Sequence, residues 1–347
     1  MNKNNELSTA WSAFKSANPK VRIRDAATTL GVSEVELVAT ECSNETVRLT
    51  GNWQLLIREL VQLDRVMALT RNEYAVSEKK GIYQNIRFHG PIGLVLDSDI
   101  DLRLFMDKWE SGFSVTSIGH KGPLKSFQFF DKNGTAVHKI YLTDKSDHHS
   151  YAKLTETFAS RDQSNEQLVS PVTNHIEDLP DAEINIHELE HGWKALQDTH
   201  DFDNLLKKCS VGRVQAFRLV KDKFAFRVGK NSLRNILQST AENKIRIMIF
   251  VNSPGTIQIH SGLISNVVCS GTWINVMDDN FNLHVREDKI SSAWVICKPT
   301  KDGLIWSLEL FDHLNETIAL LFAKRHEGKP PPEAWEKLLL SLDHINK

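Results

Sequence analysis

The sequence predicts an α+β fold made of two similar halves, each a largely antiparallel β-sheet with flanking helices. One observation behind this prediction is an internal repeat, in which residues 81–131 match residues 262–312 at one constant offset and without a gap. Another is that short apolar segments with partial alternation are separated by Gly, Asn and Asp turns, which is typical of strands joined by hairpins. We therefore expect a tandem duplication of one unit rather than a single large domain.

The register of the repeat is fixed by positions that carry the same residue type in both copies, 181 residues apart. In the first copy these residues include Gly81, Asn85, Gly90, Val95, Asp97, Leu102, Asp107, Lys108, Gly122, Ser126, Phe130 and Asp131. Many of the other pairs keep their apolar character, as Ile86 and Val267 do. Chance does not hold one register over such a length, so equivalent positions in the two halves can be compared directly.

Strands and helices are predicted from the period of the apolar residues. Strands are predicted over 245–252, 256–268, 293–298 and 304–312, and helices over 52–63, 150–158, 231–240 and 331–342. The short connections between the strand segments favour hairpins over βαβ crossovers, and hence an antiparallel sheet.

The two halves are expected to span residues 1–160 and 187–347, joined by a connector over 161–186. The connector is polar, holds two prolines and has little hydrophobic periodicity, which favours a linker over a regular element. With 347 residues, the chain is long enough for two domains with substantial cores.

The composition limits the class of protein and its partners. The formal net charge of −2 gives no global field that would attract nucleic acid or an anionic membrane. We find no signal peptide and no apolar run long enough to cross a bilayer, so membrane insertion is not expected. The four cysteines form no CxxC pair, which suits reduced thiols in a cytoplasm. The expectation is a cytoplasmic globular protein.

A zinc peptidase is one alternative, because HELEH at 187–191 fits the H-E-x-x-H pattern. On a helix, His187 and His191 would share a face, with Glu188 as general base. The segment follows a polar linker, however, and the extended H-x-x-G-x-x-H pattern is absent. The solvated start of a helix is the preferred interpretation.

A DNA-binding regulator is another alternative, because residues 24–40 resemble a helix-turn-helix with Gly31 at the turn and Ser33 as N-cap. The second helix would then present Glu34 and Glu36, which repel phosphate. Structural helix pairing is preferred, and no nucleic-acid partner is expected.

Residues that differ in chemistry between the halves are candidates for function. His200 is one, since it lies between acidic residues and has no histidine counterpart in the first half. Four cations drawn from both halves join it as candidates: Arg103, Arg213, Lys298 and Arg325. One lone histidine together with four cations, drawn from both halves, is a pattern that indicates a common chemical role.

The chain resembles the HemS/ChuS haem-utilisation proteins of bacterial iron uptake over nearly its whole length. The motifs that carry the resemblance are RNEYAV (71–76), DLRLF (101–105), QFFD (128–131), THDF (199–202), QAF (215–217), AWV…KPT (293–300) and SLELF (307–311). The resemblance implies a cytoplasmic protein that binds haem b (iron protoporphyrin IX) between its two halves.

The resemblance also implies a role for each candidate residue. His200 falls at the axial ligand of the haem iron, and Arg103 at a distal arginine with Phe105 beside it over the macrocycle. Cations near the propionates are implied at Arg213, Lys298 and Arg325, and aromatic pocket residues at Phe250 and Phe322. These roles fit the chemistry, because imidazole ligates haem iron and a guanidinium can only donate hydrogen bonds to a ligand held there.

Two departures from the family pattern affect the expected stoichiometry and pocket. Ser77 stands where many relatives have a histidine, so we expect a single haem. Phe322 replaces a tyrosine and removes a hydroxyl that could reach a propionate.

The residues leave open whether the protein carries haem or degrades it. A carrier needs only reversible ligation by His200 and a pocket that shields the iron. A haem-degrading enzyme would use Arg103 to orient an oxygen ligand and would need electrons from an external reductase, because the chain has no flavin or nicotinamide fingerprint. The cytoplasmic face of a haem importer and a haem-accepting enzyme are the protein partners considered.

Overall fold

The chain forms two compact units that are not contiguous in sequence. In the computed structural model, residues 3–42, 44–119, 122–171, 178–324 and 332–345 are described. Unit 1 comprises Met1–Asn72, Ser77–Thr173 and Asn252–Gln258, and unit 2 comprises Glu73–Val76, Asn174–Val251 and Ile259–Lys347. The strands that contain residues 75–81 and 256–262 therefore each pass from one unit to the other along the chain.

The described residues form helices and strands in the proportions of an α+β protein. The helices are α1 (Lys3–Ala17), α2 (Ile23–Leu30), α3 (Glu34–Ala39), α4 (Trp53–Glu59), α5 (His148–Thr157), α6 (Ile186–Lys194), α7 (Asp201–Lys208), α8 (Arg213–Leu219), α9 (Ser232–Glu242) and α10 (Glu333–Leu340). Short 3-10 helices cover Leu60–Leu63, Met106–Lys108, Asp181–Glu183 and Glu287–Lys289.

Strands dominate both units. They are β1 (Thr46–Arg48), β2 (Asp64–Arg71), β3 (Ala75–Gly81), β4 (Ile86–His89), β5 (Ile92–Leu96), β6 (Asp101–Phe105), β7 (Ser111–Gly119), β8 (Gly122–Phe130), β9 (Ala136–Ser146), β10 (Ala225–Val228), β11 (Ile247–Ser253), β12 (Thr256–Gly262), β13 (Val267–Ser270), β14 (Trp273–Asp278), β15 (Phe281–Arg286), β16 (Ser292–Thr300), β17 (Gly303–Phe311) and β18 (Thr317–Ala323).

The two units repeat one antiparallel topology. In unit 1, β1, β7, β8, β9 and β2 are neighbours in that order, and β4, β5 and β6 form a meander. In unit 2, β10, β16, β17, β18 and β11 are neighbours in the same way, and β13, β14 and β15 form the equivalent meander. The predicted α+β duplication with antiparallel sheets is confirmed.

Each unit has its own hydrophobic core. In unit 1 the helix α4 lays Leu56 and Ile57 on strand residues such as Phe127 and Phe129. In unit 2 the helix α9 lays Leu233 and Ile236 on the equivalent sheet. A second apolar cluster in unit 2 joins α6, α7 and α8 to β16 and β17, and this cluster positions the candidate site.

One predicted strand is divided in the structure. The prediction gave a single strand over 256–268, whereas β12 ends at Gly262 and β13 begins at Val267. The carboxylate of Asp278 accepts hydrogen bonds from the backbone N–H groups of Ser265 and Asn266, at 3.1 and 2.9 Å. These bonds satisfy the backbone in a turn instead of a ladder, because a carboxylate offers a local alternative to strand pairing.

The helix pair α2–α3 serves the fold. Gly31 ends α2 at a φ of +70°, and Ser33 and Glu36 form a capping box at the start of α3. Five of the six residues of α3 are buried, and the Glu34 carboxylate pairs with Lys139 at 2.5 Å. A helix buried in this way has no free face to place in a DNA groove. The helix-turn-helix resemblance therefore reflects packing.

None of the helices in the described ranges combines the length and apolar character that a bilayer-spanning segment needs.

Candidate functional site

His200 lies in a tight turn directly before α7, where its imidazole is open to solvent. It is the N-cap of the helix, and its side chain is 91% exposed. The carboxylate of Asp198 accepts the His200 backbone N–H at 2.9 Å and lies 2.5 Å from ring Nδ1. Asp201 closes the turn by accepting the backbone N–H of Asp198 at 3.1 Å.

This geometry suits a histidine that ligates a metal through Nε2. Histidines that bind metals usually donate their other ring N–H to a carboxylate, which fixes the tautomer and the ring orientation. The backbone N–H of His200 lowers the pKa of Asp198, and the imidazole lowers it further. Asp198 is therefore ionised near neutral pH and favours the tautomer that carries its proton on Nδ1. Within the described part of the chain, Nε2 of His200 has no hydrogen-bond partner.

The first turn of α7 joins His200 to the core of unit 2 through Phe202. The Phe202 ring is buried and packs edge-on against Trp193, with 4.5 Å between ring centroids. The Lys298 Nζ lies 4.5 Å and the Arg213 Cζ lies 5.1 Å from the centroid of the Phe202 ring. Lys298 and Arg213 thus lie against the Phe202 ring, in the first turn of the helix that follows His200.

The two cations share one buried carboxylate, that of Glu309. Lys298 Nζ is 2.9 Å from Glu309 Oε1, and Arg213 Nε is 2.8 Å from Oε2. The other side of the Arg213 guanidinium pairs with Asp203 at 2.8 Å, and the Asp203 side chain is 70% exposed. Arg213 therefore has one buried partner and one partner at the surface.

Electrostatics within this cluster keep the Glu309 carboxylate ionised. Burial would raise the pKa of Glu309, but the charges of Arg213 and Lys298 outweigh it and lower that pKa to about 2. Burial lowers the pKa of Lys298, and the opposing attraction of Glu309 limits the change. The carboxylate is thus ionised throughout the neutral pH range.

Phe250 and Phe322 form an aromatic pair next to the charged cluster. They lie on β11 and β18, with 5.3 Å between ring centroids in an edge-to-face arrangement. The Lys298 Nζ is 5.9 Å from the centroid of the Phe322 ring. Unit 2 therefore brings together Lys298, Phe322, Phe250 and Arg213.

Arg103 and Phe105 belong to unit 1, where both lie on the same face of β6. Arg103 is partly buried and forms an ion pair with Asp101 on that strand. Burial raises the pKa of Asp101, although the Arg103 guanidinium opposes this change. Phe105 is partly exposed, and its backbone N–H donates to the Gly255 carbonyl at 2.9 Å. Arg325, the remaining candidate cation, lies outside the described residues.

Three residues of the site were not assigned a role from the sequence. In the repeat register Glu309 corresponds to Gln128, and Lys298 corresponds to Ser117. At these two positions an acidic and a basic residue therefore occur together in the second half only. That coupled difference is a signal that could have found Glu309. Asp198 and Phe202 carry no comparable signal, because their roles depend on the turn before α7 and on the packing of its first turn.

Ser77 and the HELEH segment, both singled out from the sequence, lie in different surroundings. Ser77 is 1% exposed, and its hydroxyl accepts from Gln258 Nε2 at 3.1 Å. His187 and His191 lie exposed on α6, and Glu188 pairs with Lys208 at 3.0 Å. Across the described ranges, no three His, Cys, Asp or Glu side chains are grouped so as to hold a metal ion. HELEH therefore forms no such group there.

Comparison with known proteins shows the family. A family model described as a haemin-degrading HemS.ChuX domain matches residues 31–158 and 210–342. The hemin transport protein HemS of Yersinia enterocolitica is 38% identical over 331 residues, which cover 95% of each chain. Holo-PhuS, a heme-binding protein from Pseudomonas aeruginosa, is 38% identical with a TM-score of 0.96, covering 99% of this chain and all of that one.

The heme-degrading enzyme ChuS of Escherichia coli O157:H7 is also similar. It is 34% identical with a TM-score of 0.91, covering 98% of this chain and 99% of that one. These matches extend over both repeats, and their sequence identity is well above the level at which only the fold is shared. The chain belongs to the HemS/ChuX family.

Proposed function

We propose that this protein binds one haem b through His200 and serves haem-iron utilisation in the bacterial cytoplasm. The observation that carries the proposal is the pair formed by His200 and Asp198, in which a carboxylate holds Nδ1 and leaves Nε2 open. Support comes from relatives over nearly the full length whose names describe hemin transport, haem binding and haem degradation.

His200 is proposed as the axial ligand of the iron. An imidazole binds iron in its neutral form, so Nε2 must be unprotonated and Nδ1 must carry the proton. Asp198 provides for both requirements, because its carboxylate accepts a hydrogen bond from Nδ1–H and so favours the tautomer with an unprotonated Nε2. The 91% exposure of the side chain leaves room for a macrocycle against the ring.

Arg213 is proposed to bind a propionate, and Lys298 to support it. Lys298 is 2% exposed and its ammonium is taken by Glu309, so it neutralises that carboxylate instead of reaching a ligand itself. Arg213 has only an exposed carboxylate as its second partner, and an exposed ion pair contributes little. A propionate can therefore replace Asp203 and take a bidentate position on the guanidinium.

The remaining contacts follow from the same residues and the family pattern. Phe250 and Phe322 offer apolar edges to a porphyrin face, and Phe105 is proposed for the other face. Arg325 is proposed as a further cation for the propionates. Arg103 is proposed as a hydrogen-bond donor to a water or dioxygen held on the distal side, since a guanidinium stays protonated and cannot coordinate iron.

Two modes of action share these residues. A degrading enzyme would require an external reductase and would use Arg103 during oxygen chemistry at the porphyrin. A carrier would receive haem from an importer and pass it to a haem-accepting enzyme without using Arg103 chemically. We propose haem binding as the common activity, with haem degradation as the enzymatic mode and transfer as the alternative.

A haemin titration tests binding. We expect a Soret band that saturates at one equivalent in the wild type, and weaker binding with a shifted band in His200→Ala. His187→Ala is a matched control, because it removes an equally solvated histidine from the same unit. A wild-type spectrum and affinity in His200→Ala would remove His200 as the ligand, and a wild type without a saturable band would refute the proposal.

The mode of action is tested on the loaded protein by adding a reductant in air with catalase present. Decay of the Soret band with release of chelatable iron identifies haem degradation. A stable ferrous or oxygenated species identifies the carrier.

A further inference from the structure

A small polar pocket lies in unit 2 beside α8, at the end of β16 opposite Lys298. Its volume is about 240 Å³, and its lining includes Arg218, Arg227, Ser292 and Trp294. Trp294 and Lys298 are four residues apart on one strand, which corresponds to about 13 Å. The pocket is therefore distant from Lys298 along the strand, although Val214 and Gln215, which line it, follow Arg213 on α8. Binding in this pocket requires none of the residues proposed to contact haem.

Two buried donors in this pocket have no acceptor. Trp294 is 4% exposed and Ser292 is 8% exposed, and neither Trp294 Nε1 nor Ser292 Oγ has a hydrogen-bond partner among the described residues. An indole N–H can only donate. Buried polar groups in folded proteins nearly always have partners, so the Trp294 N–H indicates an acceptor that the described residues do not supply.

One cation at the pocket, Arg227, has no salt-bridge partner among the described residues. Asp181 forms a salt bridge with Arg218, with 2.8 Å between Asp181 Oδ1 and Arg218 Nη2. Asp178 lies against the backbone of Gly212 and also interacts electrostatically with Arg218. Within the described ranges, no carboxylate forms a salt bridge with Arg227, which donates only to the Ser291 carbonyl at 3.3 Å. The Arg227 guanidinium thus has no carboxylate partner there and lines the same pocket as the two unpartnered donors.

The duplication provides an equivalent position in unit 1 for comparison. Arg227 lies opposite Trp294 in the pairing of β10 with β16, and Arg48 lies opposite Phe113 in the pairing of β1 with β7. Trp294 and Phe113 are also equivalent in the repeat register. Arg48 is therefore the counterpart of Arg227.

In unit 1 the equivalent guanidinium, that of Arg48, donates hydrogen bonds to oxygen atoms of the chain itself. Arg48 Nη2 donates to the carbonyls of Ser164 and Glu166 at 3.1 and 2.7 Å, and Nη1 donates to Gln167 Oε1 at 2.5 Å. The position thus binds oxygen acceptors in one copy. In the other copy Trp294 replaces Phe113, and the change adds an N–H donor.

We propose that this pocket binds a carboxylate group. The Arg227 guanidinium receives both oxygens in a fork, and the Trp294 N–H and the Ser292 hydroxyl donate to the same group. A carboxylate fits better than a phosphate dianion, because Asp178 lines the pocket and repels a doubly charged group more strongly than a singly charged one. The carboxylate belongs either to a free small acid or to an acidic peptide segment.

The test uses ¹H–¹⁵N NMR of the full-length protein without haem. The indole signal that disappears in Trp294→Phe identifies the reporter, and this variant should fold because phenylalanine occupies the equivalent position in unit 1. Acetate is titrated against sodium chloride of equal ionic strength. We expect a saturable shift with acetate that chloride does not produce.

Variants show whether the shift comes from this pocket. Arg227→Gln should weaken acetate binding by about tenfold to a hundredfold, since it removes a charge-assisted pair. If Arg227→Gln loses the native spectrum, Ser292→Ala takes its place. Ser111→Ala is the matched control, because Ser111 is the counterpart of Ser292 and should leave binding unchanged. A shift equal to that of chloride, or undiminished acetate binding in the pocket variants, overturns the proposal.

The source of the carboxylate is tested with a blocked peptide of sequence SNEQ, which copies residues 164–167 and carries one carboxylate. Binding of the peptide is measured by the shift of the Trp294 indole signal. Tighter binding than acetate assigns the pocket to an acidic peptide segment. Binding no tighter than acetate assigns it to a free small acid.

Discussion

Lys298 and Glu309 form an ion pair at 2.9 Å, and the side chains are only 3% and 0% exposed. This pair bears on the role proposed for Lys298. The ammonium is buried and donates to Glu309, and its positive charge helps to balance the carboxylate that Arg213 also contacts. We therefore propose that Lys298 supports the candidate site through the charge balance of the cluster.

Glu309→Gln should destabilise unit 2. Glutamine occupies the equivalent position in unit 1, as Gln128, so the shape is tolerated. The change leaves Lys298 buried without its carboxylate and leaves Arg213 with only its exposed partner, Asp203, and breaking a buried pair in this way costs roughly 3–5 kcal/mol. Urea unfolding at neutral pH measures the loss. Glu188→Gln removes an exposed pair with Lys208 and should change stability by less than about 1 kcal/mol. Equal stabilities of the two variants would contradict the expectation.

Asp198→Asn should weaken haem binding without removing the ligand. The asparagine oxygen still accepts from Nδ1, but the negative charge that fixes the imidazole is gone. Loss of a partner that orients a metal ligand costs about tenfold to a hundredfold in affinity. Haemin titration measures the change, and Glu190→Gln, which removes an exposed pair with Lys223, serves as control. An unchanged affinity in Asp198→Asn would show that the His200 ring is positioned by other groups.

The repeat register was the part of the fold that the sequence predicted best. Apolar pairs and shared turn residues such as Asn85 and Asn266 recur because both units solve the same packing problem. The division between β12 and β13 was missed, because the apolar pattern continues through it. The turn depends on the carboxylate of Asp278, which lies 13 residues after Ser265 and 12 after Asn266, and the apolar period of the sequence gives no sign of it.

The candidate site was predicted less completely than the fold. Comparison between halves finds residues that differ, and it drew attention to His200, Arg213 and Lys298. This comparison does not show which of these side chains is already paired within the protein and which is open to a ligand. Only the structure shows that Lys298 is sequestered by Glu309 while His200 stays open, because both facts depend on side chains brought together from separate strands and helices.

Arg103→Ala should spare haem affinity more than it alters the distal ligand. The guanidinium is proposed to donate to a water or dioxygen, so its loss should change the ferric spectrum. Where haem is degraded, the rate should fall about a hundredfold, as when one donor to a developing charge is removed. Because the change also frees Asp101, Asp101→Asn is measured alongside as the matched control. A wild-type ferric spectrum together with a wild-type degradation rate would make the distal assignment wrong.

Ser77→Ala should leave the stoichiometry at one haem. Ser77 is buried, and its hydroxyl and its carbonyl both accept from Gln258 Nε2, at 3.1 and 2.9 Å. The variant keeps the carbonyl bond, so the free energy of unfolding should fall by only about 0.5–1.5 kcal/mol. Titration by Soret absorbance gives the number of haems. A drop below the wild-type number would reveal a haem site at this position.

His138 should make unit 1 sensitive to mild acid. Its ring is buried between Tyr83, whose hydroxyl lies 2.5 Å from Nε2, and Thr70, whose hydroxyl lies 2.9 Å from Nδ1. Thr70 donates its own hydroxyl hydrogen to Gln258 at 3.0 Å, so it accepts from Nδ1 and Tyr83 donates to Nε2. A neutral ring satisfies every partner, whereas a protonated ring would face a donor.

Burial lowers the pKa of His138 from 6.5 to about 3. The unfolded chain therefore binds a proton below about pH 6.5, while the folded protein resists it until about pH 3. The contribution of His138 to stability is complete above pH 6.5 and declines by about 1.4 kcal/mol per pH unit as the pH falls towards 3. Urea unfolding at pH 7 and pH 5 measures this decline.

His138→Gln retains a buried polar side chain but cannot titrate, so the part of the decline due to His138 should disappear. His187→Gln, at an exposed position on α6, should keep the wild-type decline. If His138→Gln loses as much stability as the wild type between pH 7 and pH 5, the buried histidine is not the origin of the acid sensitivity. A smaller decline in that variant alone would assign it to the Tyr83–His138–Thr70 network.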